Sequence, residues 1–228
     1  MRNVKVILEK QLKDTLKNRM VLIQFVLFPL MTLVMENAVR LEDMPDLFFT
    51  KLFSVMYMGM APLTATAAIL SEEKEKGTLR ALTMADVKPW EYLSGVGLYV
   101  WTLCMAGASV MATGFERAEI PFYLLIMGLG FILSVAAGAC VGIWAKNQMV
   151  ATSLVMPVMM VLSFAPMLAM FNETIEKVAR FFYTQQVRTI LNRMTFAGLG
   201  TAGACVLAAN GLLLGLLFLA AFKRKGLE

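Results

Sequence analysis

Apolar stretches of roughly 20 residues recur along this chain of 228 residues and constrain its fold more than any other feature. A helix of about 20 apolar residues crosses a hydrocarbon core about 30 Å thick. The chain is 59% hydrophobic and only 16% charged, whereas about 25% of residues are charged in a typical soluble domain. A soluble core would have to hide several such stretches, so the sequence predicts an all-α membrane protein.

The order of these stretches predicts six transmembrane helices in a single membrane domain that extends over residues 1–228. The predicted spans are residues 20–39, 52–70, 90–114, 121–145, 149–170 and 200–222. We expect Pro157 and Pro166 to interrupt the fifth span, because proline removes a backbone donor from a helix. We expect no second folded domain in a chain of this length.

Residues 1–19 have an amphipathic helical pattern, with apolar side chains on one face and lysines on another. The residues concerned are Val4, Leu8, Leu12 and Leu16 on the first face, and Lys10, Lys13 and Lys17 on the second. Such a helix can lie in the membrane interface, where its lysines contact anionic lipid headgroups. It can also pack on a partner protein, and the two arrangements are compatible.

Basic residues are more numerous in the segments that share a side with the N-terminus than in those on the other side. This bias predicts a multi-pass membrane protein with both termini and segment 72–88 in the cytoplasm. We expect its membrane to be a bacterial cell membrane. We attribute the net charge of +5 to this anchoring and expect no nucleic-acid partner.

Segment 171–199, on the predicted outer side, combines apolar and charged residues at helical spacing. The apolar positions are Ile175, Val178, Phe182, Ile190 and Leu191. We expect one or two amphipathic outer helices before the sixth span, which either dip into the outer leaflet or cap the bundle.

Small and polar residues inside the spans are candidates for helix packing. Gly138 and Gly142, like Gly211 and Gly215, lie one helical turn apart and permit close approach of another helix, within one subunit or between two. The intramembrane polar residues Gln24, Ser134 and Asn210 either line a path or bridge helices, and we expect bridging.

The sequence carries no recognisable catalytic machinery. It contains no histidine, its three cysteines lie in apolar stretches, and no Walker A motif is present. We therefore expect no catalytic residue, no metal site and no cofactor bound by this chain. Ionisable residues are scarce within the spans, which argues against an ion-coupled carrier, because a coupling ion needs a site near mid-membrane.

Segment 72–88 is the most informative part of the chain. Glu72, Glu73 and Glu75 extend the second helix beyond the membrane, and Gly77 permits a bend. Thr78 can cap a new helix. Leu79 and Leu82 then form an apolar pair three residues apart. The pattern favours a short docking helix over a solvated loop.

This segment resembles the cytoplasmic signature of ABC-2 type permeases, the membrane subunits of ATP-binding cassette exporters. The matching residues are Glu-Lys-Glu-Lys-Gly-Thr-Leu at 73–79, Val-Lys-Pro-Trp-Glu at 87–91, and Gly95. Arg80 departs from the pattern, since many relatives carry an acidic residue or glutamine there. The six spans, the N-terminal helix and the outer helices extend the resemblance over nearly the whole chain.

The resemblance implies a permease that pairs with a second permease subunit, identical or different, around a substrate path. Each subunit rests on a separate ATPase subunit, which binds ATP and Mg. The implied ATPase-coupling residues are Glu72, Glu73, Glu75, Gly77, Thr78, Leu79 and Leu82. The N-terminal interfacial helix would be a second contact.

The function predicted in this way is outward, ATP-driven movement of a hydrophobic or amphipathic substrate, such as a drug, a peptide antibiotic or a lipid-like molecule. Two alternatives remain open at this point. One is a membrane scaffold or sensor without a transport cycle, and the other is the ion-coupled carrier that the scarcity of charges disfavours.

Overall fold

A computed structural model describes residues 19–39, 44–78, 89–196 and 199–225. Within these ranges the chain forms eight α-helices and no strand. A 3₁₀ turn, Ala112–Gly114, follows the third helix. The helices are α1 (Arg19–Ala38), α2 (Phe48–Glu75), α3 (Pro89–Met111), α4 (Ile120–Trp144), α5 (Gln148–Leu168), α6 (Glu173–Ala179), α7 (Tyr183–Arg193) and α8 (Gly200–Lys225).

Five of these helices, α2, α3, α4, α5 and α8, are long and apolar enough to cross a membrane. Helix α1 contributes a shorter apolar stretch, Leu22–Ala38. The expected all-helical membrane architecture is therefore confirmed. The sixth crossing and the interfacial helix stay predictions, and residues 1–18 lie outside the described part of the chain.

Helix α2 lies at the centre of the bundle. Of its most apolar window, 72% is buried inside the protein, whereas the corresponding share for α8 is 6%. Helix α2 packs most extensively on α4 and α5. The burial of Tyr57 and Leu63 on α2 and of Phe131 on α4 shows that the core is formed along this axis.

Glycine permits the closest approach between α2 and α4. A Cβ atom at Gly138 would meet the backbone of Leu63, and one at Gly142 would lie 2.7 Å from Cβ of Leu70. Both glycines therefore face α2 of the same chain, and larger side chains would push the two helices apart.

Helix α5 continues through Pro157 and Pro166, and the expected interruption does not occur. Nη1 of Arg188 donates to the carbonyl of Pro166 at 2.7 Å. Residue 166 lies in the last turn of α5, where carbonyls lack intrahelical partners, so Arg188 supplies a donor there.

Segment 171–199 forms α6 and α7. Helix α7 packs on α2, α4, α5 and α8. Its residues Tyr183, Val187, Ile190 and Leu191 are buried, and these positions lie on one face of a helix. The apolar face of α7 is thus covered by the bundle, whereas the predicted apolar residue Val178 on α6 is exposed.

The three intramembrane polar residues bridge separate parts of the fold, as expected. Gln24 on α1 accepts a hydrogen bond from the hydroxyl of Thr64 on α2. Ser134 on α4 shares a hydrogen bond with Tyr183 on α7. Nδ2 of Asn210 on α8 donates to the carbonyl of Phe181 at 2.9 Å.

Candidate coupling site at the C-terminal end of helix α2

The predicted coupling residues begin where α2 ends. Helix α2 stops at Glu75, and Gly77 follows with φ +67°. Its N–H donates to the carbonyl of Lys74 at 3.0 Å. A glycine in the left-handed region just after a helix is a common helix end. Thr78 is the last described residue before residue 89, so Leu79 and Leu82 lie outside the described residues.

Lys74 connects this end of α2 to the end of α4. Its Nζ donates to the carbonyl of Ile143 at 2.9 Å. Ile143 is in the last turn of α4, where carbonyls lack intrahelical partners and carry partial negative charge. The ammonium group therefore neutralises the C-terminal end of α4.

Glu75, the next residue, connects α2 to the start of α5. Its carboxylate accepts a hydrogen bond from the backbone N–H of Gln148 at 3.0 Å. Oδ1 of Asn147 accepts from the N–H of Val150 at 2.9 Å and caps the same helix. Carboxylates stabilise the N-terminal ends of helices, so adjacent residues of opposite charge bind both sides of the turn between α4 and α5. We call the side of the bundle where α2 and α4 end and α5 begins the Glu75 end.

Glu73 is directed inward. It is only 6% exposed, and its carboxylate lies beside the hydroxyl of Tyr92 on α3, which is also buried. Helix α2 therefore contacts α3, α4 and α5 within four residues of its end. Burial of Glu73 makes this carboxylate part of the internal packing.

Glu72 and Lys76 form a more accessible pair, one helical turn apart. The side chain of Lys76 is 64% exposed and that of Glu72 is 34% exposed. Exposed pairs of this kind contribute little stability, typically about 0–1 kcal/mol. Gly77 is also exposed. Glu75 is exposed as well, although its carboxylate is bonded to α5. Of the predicted coupling residues that the structure describes, only Glu73 is buried. We call Glu72, Gly77 and Thr78, which are fully or partly exposed, the accessible set.

The opposite end of α2 is also held by hydrogen bonds. The carboxylate of Glu36 on α1 accepts from the backbone N–H of Thr50 at 2.8 Å and from its hydroxyl at 2.9 Å. Thr50 is in the first turn of α2, where N–H groups lack intrahelical partners. Helix α2 is therefore fixed to its neighbours at both ends. We call this side of the bundle the Glu36 end.

The other predicted site residues lie elsewhere. The interfacial-helix residues 4–17 are outside the described chain. Gly138 and Gly142 pack on α2, and an added Cβ at Gly211 would lie 3.6 Å from Leu133 of α4. Gly215 has open space where a Cβ would be, so it makes no comparable contact. Among the described residues, no group of three or more acidic or cysteine side chains is placed to hold a metal ion.

The sequence did not single out Lys74 or the main chain at residues 143 and 148. The available signals were the short turn between two apolar stretches and Asn147, a residue typical of helix starts. Neither signal indicates that α2 lies alongside this turn.

A family model described as ABC-2 family transporter protein matches residues 3–222. The chain belongs to this family. Comparison with curated proteins gives no match. As an ABC-2 family member, the chain is a membrane subunit of an ABC transporter and has no ATPase site of its own. Members of this family normally work with an ATP-binding cassette partner.

In this ABC-2 subunit the family match covers α1 to α7, residues 200–222 of α8, and residues 79–88. The segment between α2 and α3, which suggested the family, is therefore part of a match over nearly the whole chain.

Proposed function

We propose that this subunit is the permease of an ATP-driven exporter, which moves a hydrophobic or amphipathic substrate outward. Drugs, peptide antibiotics and lipid-like molecules are the substrate classes proposed. The observation that carries the proposal is helix α2, a continuous helix of 28 residues. Its C-terminal end is bonded to both sides of the turn between α4 and α5. A partner that moves this end displaces three spans together.

The Glu75 end is proposed to face the cytoplasm. Lys74, Lys76 and Lys146 lie at this end of the bundle, and Lys223 is in the last turn of α8. Basic residues close to the ends of spans favour the cytoplasmic side. This orientation places segment 72–88 where a cytoplasmic ATPase can reach it.

The accessible set is proposed to contact the ATPase directly. Glu72, Gly77 and Thr78 are joined in this role by Leu79 and Leu82 of the following segment. Glu73 and Glu75 hold the end of α2 against the bundle and transmit its displacement. The N-terminal interfacial helix is proposed as a second contact with the ATPase, and ATP and Mg bind in that partner.

A second permease subunit, identical or different, is proposed to complete the substrate path. Helices α1 and α5 expose large apolar side chains over their lengths, including Ile23, Leu30, Met156 and Met160. Lipid and a second subunit both suit such surfaces. Between two subunits these side chains form an apolar lining suited to the proposed substrates.

The test is reconstitution in proteoliposomes with and without the ATP-binding cassette subunit of this transporter. We expect ATP hydrolysis only when that subunit is present, and ATP-dependent movement of a fluorescent amphipathic drug only when both subunits are present. Partner binding without ATP-dependent transport would favour a scaffold or sensor. Transport by the chain alone under an ion gradient would favour a carrier.

A further inference from the structure

A cavity of about 600 Å³ lies between α3, α4 and α8. This volume falls within the range of about 300–1,000 Å³ that is common for small-ligand sites. Apolar side chains and small residues form its walls. They include Leu93, Trp101, Val135, Ala139, Gly215 and Phe218. Helix α8 packs on α4 beside the cavity, and the cavity lies between α8 and α3.

Both polar side chains in the lining have partners within the protein. The hydroxyl of Ser94 donates to the carbonyl of Glu91 at 3.1 Å. Nε1 of Trp101 donates to the carbonyl of Gly128 at 2.9 Å. A polar ligand here would lose its hydrogen bonds to water without replacing them, which is costly. A hydrocarbon chain loses none, so the lining favours a hydrocarbon ligand.

The cavity lies toward the Glu75 end of the membrane. Gly211 of α8 faces Leu133 of α4, and Sγ of Cys140 contacts the carbonyl of Leu214 at 3.6 Å. The two helices therefore run in the same direction and end on the same side. From Gly215 to Lys223, α8 advances about 12 Å at 1.5 Å per residue, so a basic side chain lies beyond the cavity at the membrane end.

We propose that one acyl chain of an anionic phospholipid occupies this cavity, with its headgroup near Lys223. The apolar lining takes the chain, and Lys223 in the last turn of α8 attracts the negative headgroup. The bound chain fills the space between α8 and α3 on the side that α4 leaves open.

The test uses Trp101 as a reporter. The chain has three tryptophans, so Trp90→Phe with Trp144→Phe leaves only Trp101. This variant is placed in lipid nanodiscs that contain phosphatidylglycerol or phosphatidylcholine with brominated acyl chains, which quench tryptophan fluorescence on contact. We expect saturable quenching by the anionic lipid. Half-maximal quenching should need about a fivefold lower mole fraction than for phosphatidylcholine, the factor that one basic residue near the surface provides.

Gly215→Phe, added to this background, fills the cavity from α8. No atom lies within 4 Å of an added Cβ at Gly215, so the backbone needs no adjustment there. We expect the saturable quenching to be lost. Leu216→Phe is the matched control, because Leu216 is 64% exposed and outside the cavity lining; its quenching should be unchanged. Lys223→Gln should remove the preference for the anionic lipid.

Quenching that rises in proportion to mole fraction, equally for both lipids, would overturn the proposal. Saturable quenching that survives in Gly215→Phe would also overturn it. If Gly215→Phe fails to fold by size-exclusion chromatography and circular dichroism, Ser94→Leu introduces bulk from α3 instead. The same two outcomes then decide the proposal.

Discussion

The hydroxyl of Tyr183 on α7 lies 2.6 Å from the hydroxyl of Ser134 on α4, and both side chains are buried. The hydroxyl of Ser134 also donates a hydrogen bond to the carbonyl of Gly130, at 3.2 Å. The bond between the two hydroxyls fixes a short amphipathic helix against a membrane-spanning one. Loss of this bond would leave the buried hydroxyl of Tyr183 without a hydrogen-bond partner.

Ser134→Ala is therefore expected to destabilise the protein. A buried polar group left without a hydrogen bond costs about 1–3 kcal/mol of stability. For a chain of this size, each kcal/mol lowers Tm by about 2–4 °C. Adding Tyr183→Phe removes the orphaned hydroxyl, so the double variant should be more stable than Ser134→Ala alone. Thermal unfolding in detergent measures both effects.

The control for this cycle is Ser153→Ala on α5. Ser153 is exposed and its hydroxyl bonds only to the carbonyl of Met149, one turn earlier. Its Tm should change little. A double variant with the same Tm as Ser134→Ala would contradict the assigned role of the hydrogen bond.

Glu75→Lys and Glu72→Lys should have different effects although both reverse a charge on α2. Glu75→Lys places a cation against the positive N-terminal end of α5. The substitution removes about 0.3–1 kcal/mol of favourable charge interaction and adds repulsion. We expect a lower Tm together with weaker coupling of ATP hydrolysis to transport. Among the described residues, Glu72 pairs only with Lys76, one turn away, so Glu72→Lys leaves the bonds between helices in place. Coupling should then fall while Tm stays near that of the wild type.

These two variants are compared by Tm and by drug transport per ATP hydrolysed in proteoliposomes. Glu72→Gln is the milder control at the accessible position. Normal coupling in Glu72→Lys would remove this residue from the proposed ATPase contact. An unchanged Tm in Glu75→Lys would mean that the bond to Gln148 adds nothing to stability.

Gly138→Ala is expected to destabilise the contact between α2 and α4, because its Cβ would meet backbone atoms of Leu63. Gly211→Ala makes the same chemical change on α8, where the nearest atom would lie 3.6 Å away. Alanine is favoured over glycine inside a helix by about 1 kcal/mol, so Gly211→Ala should be neutral or stabilising. Opposite shifts in Tm are the expected result, and equal shifts would contradict the packing described.

Arg188→Gln should weaken the attachment of α7 to α5. Burial lowers the pKa of Arg188, while the nearby Glu176 raises it, and the side chain donates to the carbonyl of Pro166. Hydrogen bonds from charged donors contribute about 1.5–3 kcal/mol. We expect a lower Tm and faster amide hydrogen exchange in α7. Lys177→Gln on α6, an exposed position, is the control and should change neither quantity.

The helical class of the fold could be predicted because the transfer of an apolar stretch into hydrocarbon depends mainly on that stretch itself. Leu212, Leu213 and Leu216 are apolar and largely exposed on the surface of α8, as a lipid-facing helix requires. The continuity of α5 could not be predicted in the same way. Arg188, 22 residues later, donates to the carbonyl of Pro166 in the last turn of α5, and no local pattern in α5 indicates this contact.

The candidate site shows the same limit. The charges of segment 72–78 and the glycine after them were evident from sequence, and their proposed role at an ATPase stays a prediction. Which carboxylate is bonded to another helix depends on neighbours distant in the chain. Glu73 meets Tyr92, and Glu75 meets Gln148, 73 residues later. No local pattern separates Glu72 from Glu75.

The order of Lys74 and Glu75 has a consequence for how this segment can vary. Lysine meets a carbonyl at the negative end of α4, and glutamate meets an N–H at the positive end of α5. Exchanging the two residues preserves composition, net charge and helix propensity, yet it sets each charge against a dipole end of its own sign. Charge content alone is therefore a poor guide to which homologous segments are interchangeable, and the polarity of each adjacent pair has to be matched as well.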